Sequence, residues 1–320
     1  MNADYVPLIV GGMVFLASLI SLRLGLSVAI IEIILGAIAG NAGLKPEGWM
    51  TYIAGFGGIV LTFLAGAEID TRLMKEKFKE SFLIGLLSFL LPFAGIFLYV
   101  HHMAGWSTKA SLIAGAALST TSLAVVYSVL VETGLAKTEI GKLIMASTFV
   151  TDMGTALALS ILFVKPTLYT LIFISVSINV IYFADKLSQH VFTNPLLKNK
   201  VIEPEIKYIF LLLLTFMYFA NLGEGHAVLP AFLLGLLMSR HLKDSAESRV
   251  VRNRLRTVSY AFITPLFFLV GGMKISFSLI LSAFGLFALL FGLKIVMKFV
   301  GVFFWRKDTS LRGRSIQPCS

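Results

Sequence analysis

The chain has 320 residues, of which 57% are apolar and 14% charged, and its formal net charge is +10. So apolar a composition excludes a soluble fold and marks a polytopic membrane protein. The basic excess does not point to nucleic acid, because its residues sit in short loops on alternate sides of the apolar runs, where orientation in a bilayer explains them. The single cysteine, Cys319, excludes an intrachain disulfide framework and a cysteine metal site.

Apolar runs fall near 5–22, 26–44, 51–69, 80–104, 109–131, 138–164, 166–184, 206–222, 226–240, 258–277 and 279–305. A helix needs about 20 apolar residues to cross a hydrocarbon core roughly 30 Å thick, so the fold class is all-α with about eleven transmembrane helices. The first run follows Asp4 and no basic n-region, so it reads as a retained span and not a signal peptide. The run 226–240 is short for a full crossing.

One set of loops carries Arg23, then Arg72, Lys75, Lys77 and Lys79, then Lys137 and Lys142, then Lys186, Lys198, Lys200 and Lys207, then Arg240 through Arg256, and the tail from Arg306. The opposite loops hold only Lys45, Lys109, Lys165 and Lys274. By the positive-inside rule the N-terminus is expected outside a cell membrane and the C-terminus in the cytoplasm. The long break 185–205, with Pro195 and Pro204, divides the chain as in transporters built from inverted repeats. The expected organisation is a transmembrane domain 1–305, made of a first repeat at about 5–164, a linker helix and loop 166–205 and a shorter second repeat 206–305, followed by a cytoplasmic tail 306–320.

The segment Thr138 to Val164 holds one carboxylate, Asp152, near its midpoint. An acid at that depth costs several kcal/mol unless it is neutral, paired or facing a polar cavity, so Asp152 is the leading functional candidate. The alternative is an interhelical hydrogen bond that only holds the bundle together. The fifth run contains Ser119-Thr120-Thr121-Ser122 amid apolar residues. Such hydroxyls either back-bond within an unbroken helix or mark an interrupted one, and interrupted helices at mid-membrane bind ions in transporters. Beside Asp152, the interrupted helix is the expectation. Lys294 and Lys298 lie four apart in the last run; each either snorkels to the interface or partners a buried acid. Glu32 and the pair Glu68 and Asp70 are further acids in or near spans, the latter read as an interfacial helix end. The histidines His101, His102, His190, His226 and His241 fall in loops or at span ends without metal-ligand spacing, and neither a phosphate-binding glycine motif nor a Ser/His/Asp arrangement occurs. Nothing suggests an enzyme or a cofactor.

These residues resemble the monovalent cation:proton antiporter-2 family of sodium or potassium/proton exchangers. Arg23-Leu-Gly-Leu-Ser27, Glu32-Ile-Ile-Leu-Gly36 and Gly40-Asn-Ala-Gly-Leu44 resemble its opening motif, and Phe63-Leu-Ala-Gly-Ala-Glu-Ile-Asp70 resembles its "FLAGLEID". Leu118-Ser-Thr-Thr-Ser-Leu-Ala-Val-Val126, Pro230 through Arg240, Pro265 through Met273, and Lys298-Phe-Val-Gly301 follow in family order. The resemblance implies an inverted-repeat antiporter with a dimerisation domain and a moving core, working as a homodimer in the lipid bilayer. Asp152 then falls on the ion-binding aspartate, Ser119 to Ser122 on the first unwound crossing helix, and Lys298 on the lysine facing the aspartate helix, with Lys294 and Glu68 as supporting charges.

Two departures stand out. Where many members carry two adjacent acids, the first here is Thr151, which leaves one titratable charge and an expectation of electroneutral exchange. Family members continue for two more spans after the lysine helix, so the chain is expected to be C-terminally incomplete. The expected function is exchange of Na⁺ or K⁺ for H⁺ by alternating access, proton and cation competing for Asp152. The rivals are a potassium efflux channel-like system of the same fold, with flux uncoupled from protons, and an inactive or regulatory membrane fragment.

Overall fold

The computed structural model describes residues 5–69, 78–163, 167–193, 202–223, 225–239 and 246–312, apart from the side chains of 159–160, 163, 185, 189, 192–193, 246–249 and 302–312. Asp70, Arg72, Lys75, Lys77, Lys165, Lys198, Lys200, Arg240, His241 and Cys319 lie outside the described residues. Within them the regular structure is all helical: α1 Val6–Leu24, α2 Val28–Asn41, α3 Gly48–Glu68, α4 Phe78–His102, α5 Thr108–Ser119, α6 Leu123–Glu132, α7 Glu139–Phe163, α8 Leu168–Thr193, α9 Pro204–Leu222, α10 Val228–Met238, α11 Ala246–Val258, α12 Thr264–Met273, α13 Phe277–Ser282 and α14 Phe284–Arg312.

Each expected apolar run falls on helix. Eight helices among the described residues are long and apolar enough to cross a membrane, whereas α2 and α10 are shorter. Leu8 and Leu22 on α1, Leu168 on α8 and Ile161 on α7 are 72% to 83% exposed. Large apolar side chains left bare in this way suit lipid and not water, and the chain is a multi-pass membrane protein.

Two boundaries differ from the sequence expectation. The basic stretch read as a loop through Arg256 is helical from Ala246. Val251 and Leu255, one turn apart, are buried there beside the buried Arg252, while Arg254 reaches solvent, so the helix is amphipathic with its arginines divided between the two faces. This helix runs through a π turn, Ser259–Ile263, into α12. Pro265 follows directly; it has no N–H to give the preceding turn, and the wider turn absorbs that missing bond. At the other boundary, α14 continues past Trp305 to Arg312.

The chain divides into two compact units. Unit 1 comprises Met1–Thr71, Ala124–Gly141 and Pro166–Leu281; unit 2 comprises Arg72–Leu123, Lys142–Lys165 and Ser282–Ser320.

In unit 1 the buried helix α3 packs against α10 and α12, and α2 packs against α12. The contacts come in matched pairs. A Cβ at Gly36 of α2 would collide with the Leu269 carbonyl of α12, and one at Gly235 of α10 with the Phe63 carbonyl of α3. In the reverse direction, Gly66 of α3 lies against the Phe232 carbonyl of α10 and Gly272 of α12 against the Ile33 carbonyl of α2. Helices in lipid gain little from apolar burial and much from close backbone approach, which only glycine permits at these four places.

In unit 2 the hub is α4. Gly115 of α5 lies against the Phe93 carbonyl, Gly95 faces Met297 of α14, and Gly85 lies against the Ser147 carbonyl of α7. Ile96, Val100 and Leu290 form a small buried cluster in this unit. The arrangement brings α5, α7 and α14 around one helix.

Candidate functional site

The site lies in unit 2, where α5 stops. Helix α5 starts cleanly, the Ser107 hydroxyl accepting the Ala110 N–H at 3.3 Å, and ends at the hydroxyl run. Thr120 takes an extended conformation, φ −64° and ψ 156°, and residues 120–122 are not helical before α6 begins at Leu123. Two adjacent β-branched threonines lose side-chain freedom in a helix, and their hydroxyls offer the backbone other partners. The interrupted helix expected from the sequence is therefore present.

A helix that begins in mid-span has bare N–H groups and the positive end of its dipole to satisfy. Asp152 on α7 supplies both needs. Its Oδ2 accepts the Leu123 N–H at 2.9 Å and its Oδ1 accepts the Thr120 hydroxyl at 3.0 Å. The carboxylate thus caps α6 from a neighbouring helix, much as anions seat at helix N-termini. Lys298 Nζ on α14 donates to the Thr121 hydroxyl, the residue beside Thr120, and not to Asp152. Asp152 makes no salt bridge among the described residues; the Lys298 charge acts on it through space.

The other sequence candidates are placed less directly. Ser119 is buried and donates to the Ala116 carbonyl at 3.0 Å, within its own helix. Thr151 is buried and donates to the Thr148 carbonyl at 2.7 Å. Ser122 is exposed, and Lys294 is partly buried one turn from Lys298. Glu68 belongs to unit 1, where its carboxylate lies 3.7 Å from Arg252 and 3.5 Å from Arg256, and Arg256 donates to the Tyr127 hydroxyl at 3.3 Å.

Sequence reasoning missed one ligand, the Leu123 N–H, although the hydroxyl run announced where a helix would restart. It also missed Arg252 and Arg256 as partners of Glu68, having read them as loop charges. Among the described residues no group of three His, Cys, Asp or Glu could hold a metal ion. What gathers around Asp152 is a carboxylate with hydroxyl oxygens beside it, which a proton or an alkali cation can enter, while the Leu123 N–H serves the carboxylate alone.

Comparison with known proteins places the chain in a family. The family model for the transmembrane sodium/hydrogen exchanger matches residues 11–315. The chain is 28% identical over 288 residues to the "Probable Na(+)/H(+) antiporter 3" of Methanocaldococcus jannaschii, covering 87% of this chain and 72% of that one. It is 25% identical to a Na⁺/H⁺ antiporter of Enterococcus hirae, covering 94% of this chain and 80% of that one. Its fold matches the solved structure of the sodium proton antiporter MjNhaP1 from Methanocaldococcus jannaschii with a TM-score of 0.71 at 16% identity, covering 95% of this chain and 81% of the other. With its interrupted helix, its mid-span aspartate and a family match along nearly its whole length, the chain belongs to the sodium/hydrogen exchanger family.

Proposed function

We propose that the chain exchanges Na⁺ or K⁺ for H⁺ across the membrane by alternating access, with Asp152 as the one site for which both ions compete. The observation that carries this reading is the bonding of Asp152: a mid-span carboxylate held by a hydroxyl and an amide, with no salt bridge among the described residues. A fixed cation in contact would close such an acid to exchange. Neutral donors leave its charge to be cancelled by whichever ion arrives. A bound alkali ion would take oxygens from Asp152 and from hydroxyls of the break, with Thr120 nearest, and Thr121, Ser122, Ser119 and Thr151 flanking it. Lys298, anchored on Thr121, and Lys294 supply the positive field that favours the empty carboxylate between turnovers.

One carboxylate takes one proton or one cation, so the exchange is electroneutral. The working form is a homodimer in a cell membrane, with the N-terminus outside and the C-terminus cytoplasmic. Two inverted repeats, one in each half of the chain, supply the frame. The matched glycine contacts of α2 and α3 with α12 and α10 support that internal symmetry.

The test is cation-induced collapse of a proton gradient in inverted vesicles containing this chain, with Na⁺, K⁺ and Li⁺ compared. The wild-type chain is expected to respond, and Asp152→Asn, present in equal amount, is expected not to. Proton-coupled flux retained in Asp152→Asn would overturn the assignment. An imposed membrane potential at fixed pH should leave the rate unchanged; a rate that follows the potential would overturn electroneutrality.

A further inference from the structure

Unit 1 contains a buried acid that the exchange site does not use. Glu32 of α2 is 2% exposed, yet it has no hydrogen bond or ion pair among the described residues. Its neighbour in charge is another acid, Glu132, at the end of α6. Glu132 reaches across to α2, its Oε2 accepting the Val28 N–H at 2.9 Å, while its Oε1 accepts the Ser128 hydroxyl at 3.1 Å. Val28 and Glu32 are one helical turn apart and therefore share a face of α2. The Ser27 Oγ, one residue before Val28, is buried without a hydrogen-bond partner.

A carboxylate in this position is anomalous. Burying an isolated carboxylate costs several kcal/mol, and a second acid beside it adds to that cost. Among the described residues no fixed positive side chain offsets it. Helix α12 presents no titratable group to α2, α1 carries only the exposed Arg23, and Arg256 is engaged by Glu68 and Tyr127. Glu132 itself is exposed and meets solvent, and its charge is felt at the buried Glu32. Every free donor in the group is oxygen, which suits a proton or a hard alkali cation and not a soft metal.

We propose that Glu32 and Glu132 form a second seat for a single positive ion, a proton or an alkali cation, separate from Asp152 and lying wholly within unit 1. The proposal stands apart from the exchange reaction, and its test reads occupancy and not flux. The purified 320-residue chain carrying Asp152→Asn is compared with the Asp152→Asn/Glu32→Gln double variant. Two readouts are used: equilibrium binding of radiolabelled Na⁺ and Rb⁺, and the infrared absorption of protonated carboxylic acid.

If an alkali ion sits there, Asp152→Asn retains bound Na⁺ or Rb⁺ in a one-to-one ratio, and the double variant loses it. If a proton sits there, no such ion is bound, and the infrared difference between the two variants contains a protonated acid band from Glu32. Identical ion binding together with no carboxylic acid band in the difference would overturn the proposal. Glu132→Gln, a change at an exposed position, is the second variant where Glu32→Gln does not fold; it is expected to weaken ion binding at least tenfold or to shift the acid band, and no change in either would count equally against the seat. Loss of gradient collapse in the wild-type chain would refute the exchange function alone and leave these readouts untouched.

Discussion

The two units treat a buried acid in opposite ways. In unit 1, Glu68 is 2% exposed and meets two guanidinium groups, those of Arg252 and Arg256. In unit 2, Asp152 meets a hydroxyl and a backbone N–H, and the nearest lysine spends its hydrogen bond on Thr121. The attraction within a buried pair offsets desolvation only while both partners stay, so removing one charge strands the other. Glu68 is therefore tied to two fixed cations. Asp152 can lose its charge to a proton, or have it balanced by a cation, without leaving an unpaired guanidinium behind. On the proposed function, an acid's partners, more than its depth, separate structural from exchangeable carboxylates in this molecule.

The comparison can be broken most decisively at its two centres. Asp152→Asn should reduce gradient collapse to the level of empty vesicles. Because Asn caps helix N-termini about as well as Asp, its thermal unfolding should change by less than about 1 kcal/mol. A large loss of stability would make Asp152 structural and dissolve the contrast. Glu68→Ala should do the reverse, destabilising the chain by about 3–5 kcal/mol because the buried Arg252 and the partly buried Arg256 lose their partner. Thermal unfolding in detergent would show it, and adding Arg256→Met should recover part of the loss.

Smaller effects sharpen the picture. Thr120→Val removes one of two hydrogen bonds to Asp152, a contribution of about 1.5 kcal/mol for a charged acceptor. The expected outcome is an approximately tenfold change in the cation concentration for half-maximal gradient collapse, with unfolding little affected. Arg254→Ala breaks the pair with Glu203, whose side chains are 44% and 29% exposed. That loss should stay below about 1 kcal/mol and leave exchange unaltered.

Much of the site could be read from the sequence because a bilayer gives few reasons for a polar residue in mid-span. Asp152, the run Ser119 to Ser122 and Lys298 each stood out against apolar neighbours, and the structure gathers them in unit 2. The Leu123 N–H was illegible, since every residue but proline carries one and only the interruption frees it. The role of Arg252 and Arg256 was hidden for a different reason. Their charges fit the positive-inside pattern so well that a loop sufficed to explain them, and the buried apolar positions beside them, Val251 and Leu255, were too few to announce a helix. Glu132 was hidden likewise, as an acid at a span end that water would satisfy. The π turn before Pro265 needs knowledge that the helix on its N-terminal side continues, which local pattern does not provide.

The matched glycines of unit 1 also set an order of assembly. Helices α2 and α3 are made early, but the carbonyls that Gly36 and Gly66 rest against belong to Leu269 and Phe232, made some two hundred residues later. Until α10 and α12 leave the ribosome, the first pair waits in the bilayer with its close-packing faces uncovered. Closing such distant contacts is slow, and exposed faces invite wrong partners in the interval. Unit 1 therefore completes late in synthesis, and an arrest before Phe232 would release α2 and α3 into the membrane as an open, association-prone pair.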